Sequence, residues 1–130
     1  MTLQLIRLWV SKLPPSELDM PIIMLNGVAY TPRQILEEVE RGTQLGAVLQ
    51  RMVETGAASL SQSEEEEELA KMRLRQLLSR SSAIYARLSD TGAEVYTPQQ
   101  ILEEIERGSP IGRQWIEAEK SIIRKLLMLR

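Results

Sequence analysis

The chain has 130 residues, 43% hydrophobic and 26% charged, with a formal net charge of -2, enough for one ordinary core or for two small units sharing one. It has no Cys, no His and no Phe, which excludes disulfides, thiolate nucleophiles, imidazole acid–base chemistry and zinc sites of the usual ligand types, and favours an aliphatic, helical core. The small net charge gives no overall steering toward nucleic acid or an anionic membrane, so any such argument rests on local patches.

In chain order, the first twelve residues admit two readings. Leu3 and Leu5 alternate as in a strand, whereas Leu5, Leu8 and Trp9 share a helical face. Gln4 and Arg7 interrupt the run and no small-residue cleavage site follows, so no signal peptide is expected. No stretch approaches the ~20 apolar residues of a spanning helix, and a cytoplasmic location is the default expectation. From Ile22 to Tyr30, the Asn26-Gly27 pair between apolar runs predicts a type I′ hairpin.

The tract Tyr30 to Gly46, YTPRQILEEVERGTQLG, then recurs 66 positions later as Tyr96 to Gly112, YTPQQILEEIERGSPIG, with 12 of 17 positions identical. Thr31 and Thr97 are N-cap residues, Pro32 and Pro98 take the first helical position, and Gln34 and Gln100 the capping-box position. Ile35, Leu36 and Val39, with Ile101, Leu102 and Ile105, form a core-facing stripe, while Glu37, Glu38 and Glu40 and their counterparts are expected in water. Gly42 and Gly108 read as left-handed C-caps, after which Thr43 or Ser109 caps a second helix. Each tract is thus a tight helix-turn-helix. Gly46 and Gly112, one turn into the second helix, mark a close crossing of two backbones, and Tyr30 and Tyr96 read as hydrophobic staples.

The second helix of the first tract is expected over Gln44 to Glu54, with Leu45, Val48, Leu49, Met52 and Val53 inward. Gly56 to Ser63 reads as a linker, followed by a long connecting helix from a Ser63/Glu66 capping box through Leu88, with Ile84, Tyr85 and Leu88 on its apolar side. Upstream of Tyr96, a turn signal at Asp90 to Gly92 leaves only a stub of strand. The last helix runs unbroken from Ile111 toward Arg130 through Trp115, Ala118, Ile122, Leu126 and Leu129, and its terminal half is too apolar to lie alone in water.

Candidate chemistry is sparse. Glu64 to Glu68 fit the first turns of a helix whose later turns are basic, as the macrodipole favours, and need no ligand. The glutamates of the repeated tracts have no second catalytic group type beside them. As a DNA reader the helix-turn-helix is poor, because its first helix would bring three glutamates to the phosphates and Glu38 and Glu104 stand where a small residue is wanted. No phosphate-cradling glycine loop, nucleophile elbow or metal-ligand spacing occurs.

The expected fold is therefore mainly α: two repeated capped helical hairpins joined by a long helix, with one or two short β-hairpins, and a small α+β arrangement as fallback. Residues 1–56 hold the N-terminal segment, a β-hairpin and the first unit (30–54), 57–88 the linker and connecting helix, and 89–130 the second unit (96–129). The expected function is a non-catalytic protein-interaction or assembly module without cofactor or small-molecule substrate. It would act as a homodimer held by Trp115, Ile122, Ile123, Leu126, Leu127 and Leu129, and would engage a protein partner. The alternative is a small nucleic-acid-binding protein using Lys71, Arg73, Arg75, Arg80, Arg87, Lys120, Arg124 and Lys125.

Overall fold

The computed structural model describes residues 2–60, 63–81, 85–89 and 92–129, with side chains described for all but 2, 63, 85–89 and 92–94. The two-way reading of the N-terminus resolves as helix: α1 spans Thr2–Lys12. Its buried face is Ile6, Trp9 and Leu13, at i, i+3 and i+7, so the expected face is rotated and Leu8 is left exposed. A single 3-10 turn at Pro15–Glu17 redirects the chain into a hairpin of β1 (Ile23–Leu25) and β2 (Val28–Tyr30). Asn26 and Gly27 have φ of 52° and 79°, the two left-handed residues that a type I′ turn requires.

Helices α2 (Pro32–Arg41) and α3 (Gln44–Thr55) follow, and α5 (Pro98–Arg107) and α6 (Pro110–Leu127) stand at the matching tract downstream. Thr31 and Thr97 accept from the backbone N–H of Gln34 and Gln100 at 3.2 Å, while those glutamine side chains accept from the threonine N–H at 2.9 Å. Gly42 and Gly108 end the first helices at φ 69° and 68°. The expected close crossing is present at both corners. A Cβ on Gly46 would lie 2.7 Å from the carbonyl carbon of Glu38, and one on Gly112 would lie 2.5 Å from that of Glu104.

Between the tracts the structure departs from the expected long helix. Helix α4 covers only Ser63–Ser79, and residues 85–96 form a second antiparallel hairpin, β3 (Tyr85–Ser89) with β4 (Gly92–Tyr96). The stop is local chemistry. Ser79 Oγ donates to the carbonyl of Gln76, and the N–H groups of Arg80 and Ser81 tighten onto Leu77 and Leu78, so serines divert the bonds that would extend the helix. The β-branched and aromatic residues beyond suit a strand. Ile84, Asp90 and Thr91 lie outside the described residues, as do the side chains of Ser63, Tyr85, Arg87 and Leu88.

The architecture is mostly helical, with two small antiparallel hairpins among the described residues. Helix α1 packs on α2 and α3, while α4 packs on α5, α6 and β1. One buried cluster draws on every helix, including Trp9, Ile35, Leu49, Leu74, Ile101 and Ile116. The indole of Trp9, fully buried, donates to the Leu126 carbonyl at 2.8 Å and joins the first helix to the last. No helix among the described residues is long and apolar enough to cross a membrane.

A candidate interaction surface on helix α3

The charged residues are largely matched to one another. Arg73, fully buried in α4, donates to Glu119 at 2.9 Å, to Glu17 at 2.7 Å and to the Pro21 carbonyl at 2.9 Å, tying α6 and the 3-10 turn to α4. These partners satisfy the guanidinium's fork, and burial is tolerated because the charge is paired and hydrogen-bonded. The glutamate run at the start of α4 does more than complement the macrodipole. Glu65 accepts from Ser59 and from the Gly27 N–H, Glu66 pairs with Arg124, Glu67 with Arg113, and Glu68 with Arg75. Glu65, Glu66 and Glu67 thus staple α4 to the first hairpin and to α6, while the Glu68 pair lies within α4.

Two of the glutamates expected in water are half-buried instead. Glu38 accepts from Thr43 Oγ1 at 2.7 Å, bracing the corner between its helices, and pairs with Arg41, whereas Glu104 pairs with Arg107 on its own helix. Hydrogen bonds from Arg113, Arg75 and Arg33 hold the carboxyls of Glu67, Glu106 and Asp19 below their ordinary pKa values. Among the described residues no group of three or more acidic side chains is arranged to hold a metal ion.

The positions expected to meet nucleic acid are dispersed by these pairings. Arg73 is buried, Arg75, Lys120 and Arg124 hold Glu106, Glu117 and Glu66, and Lys71 lies within electrostatic reach of Glu67 and Glu106. Arg80 and Lys125 are exposed, and the Arg87 side chain lies outside the described residues. The expected dimer face is likewise divided. Ile123, Leu126 and Leu127 point into the chain's own core, Trp115 is half-buried, and only Ile122 and Leu129 are exposed. The apolar half of α6 finds a partner surface within the chain, and Ile122 and Leu129 are the exposed part of the expected face.

What remains open is a groove on α3. Capped by Thr43 and ended by Gly56 at φ 72°, this helix turns Gly46, Leu49, Met52 and Val53 inward. The chain then doubles back: Ala58 is buried and accepts from the Met24 N–H at 2.8 Å, which carries Leu60 alongside the outer face of α3. The result is a groove of about 530 Å³ lined by Ala47, Val48, Arg51, Met52, Thr55 and Leu60. Leu60 is 63% exposed and Val48, expected inward, is 38% exposed. Met128, also exposed, lies against Gly56 at one end of α3. The only advance signal in the sequence is Leu60 itself, a lone large apolar residue in the polar stretch Ser59 to Ser63.

Comparison with family models, with curated proteins and with solved structures finds no match to this chain.

Proposed function

We propose that this chain is a non-catalytic protein-interaction or assembly module, built from two copies of one hairpin-and-helix-pair unit. Its activity is the burial of apolar surface against another polypeptide. The observation that carries this reading is the α3 groove, in which Val48 and Leu60 stand exposed above the buried Met52. The second copy and α4 supply the frame, and the first copy presents the binding face. Grooves of this kind take the apolar face of a helix, read as anchors at i, i+4 and i+7. Self-assembly retains some support from Ile122, Met128 and Leu129, which are exposed near the end of α6.

The test is an amide chemical-shift titration of the isotope-labelled chain with helical peptides bearing leucines at that spacing. Shifts confined to α3 and Leu60 support the reading. A chain that stays monomeric in sedimentation up to high concentration and responds to no peptide contradicts it.

A further inference from the structure

We infer that the α3 groove is specific for an acidic amphipathic helix of a partner protein, with Arg51 as the residue that selects it; this rests on the interaction reading above. Arg51 lines the groove beside Val48 and Leu60, is exposed, and has no ion pair among the described residues. Among the other described arginine side chains, all but Arg80 hold a carboxylate within 4.0 Å, and Arg80 lies within electrostatic reach of Asp19. Among the described residues, therefore, no carboxylate matches the cation at the edge of this open apolar groove. A docked carboxylate would supply the missing partner, while a docked lysine would bring a like charge against it.

The helix that continues from the downstream tract offers a contrast at the matching positions. Shifting by 66 positions places Arg113, Gln114, Glu117 and Ala118 where α3 has Ala47, Val48, Arg51 and Met52. There Arg113 and Glu117 pair with each other at 3.5 Å, so the charges at these positions of α6 balance each other. Beyond the shared 17-residue tract the two helices diverge, and at these positions α3 carries apolar residues and an arginine where α6 carries an ion pair. Packing does not demand it, since Val48 and Arg51 are exposed.

The experiment uses the full chain and three synthetic helices with identical leucine spacing, flanked by Glu, Gln or Lys. The expected result is that the Glu peptide binds wild type roughly fivefold tighter than the Lys peptide, a ratio typical of one exposed ion pair, and that Arg51→Glu reverses the order. Arg51→Gln, which removes the charge without inverting it, should leave the three peptides equivalent, and unchanged thermal unfolding of both variants confirms the fold. Equal binding of all three peptides to wild type, or indifference to Arg51→Glu, overturns the acidic occupant while leaving the interaction module intact. Binding of none overturns both. Self-association in sedimentation that Val48→Asp abolishes identifies the occupant as a second copy, and decanoate shifting the same amides more strongly than the Glu peptide identifies it as a small amphiphile; either overturns the proposal.

Discussion

At the scale of single residues, stability is concentrated where the backbone or a charge has no alternative. Gly46 and Gly112 admit no Cβ because the carbonyl groups of Glu38 and Glu104 occupy its place. Gly112→Ala should therefore destabilise by about 1–3 kcal/mol, measured by urea unfolding, although alanine is the better helix former. Both glycines were legible in the sequence, since a costly residue standing twice at one point of a repeated tract implies a close approach. Arg73 was not legible as a core residue. It reads as one more cation in a basic stretch, and only the fold brings Glu17 and Glu119 to it from 56 and 46 positions away. Arg73→Ala should cost about 3–5 kcal/mol, because it leaves two carboxylates without their cation. The pH dependence follows from Glu67, Glu106 and Asp19. Their folded pKa values lie below the unfolded ones, so their stabilisation is present above the ordinary carboxylate range and is lost as pH falls through the folded values. The urea midpoint should be flat from about pH 7 to about pH 5 and fall below that, less steeply in Glu67→Gln/Glu106→Gln.

At the scale of elements, what the sequence disclosed depended on whether the deciding bonds are local. The capped starts of α2, α3, α5 and α6, and the Asn26-Gly27 turn, close within four residues and were readable as such. The end of α4 was not, because the apolar spacing continues past Ser79 and masks a serine-rich stop followed by strand-forming residues. Helix α6 has about the five turns its unbroken spacing predicts, ending at Leu127, but faces differently. Periodicity gives a stripe without saying what it meets, and here α4 and Trp9 meet it. The distinction is measurable. Leu126→Asp, placing a carboxylate against the core, should unfold the chain or cost at least about 3 kcal/mol, whereas Ile122→Asp on the exposed side should shift stability by less than about 0.5 kcal/mol. Equal, small effects from both would mean that α6 does not pack on α4 as described.

At the scale of the whole molecule, one buried cluster and a web of ion pairs hold every helix. Against that background the α3 groove combines a concave apolar lining, exposed at Val48 and Leu60, with Arg51 at its edge. Apart from the lone Leu60, the sequence does not disclose the groove, because it depends on Leu60 being carried back beside α3 by the Ala58–Met24 bond. The most direct measurement is the residue-resolved amide titration with the leucine-spaced peptide series. An interaction module working through α3 predicts saturable shifts confined to Ala47 through Thr55 and Leu60, strongest for the acidic peptide and reversed in preference by Arg51→Glu. Shifts centred instead on Ile122 and Met128, or none at any peptide concentration, would contradict it.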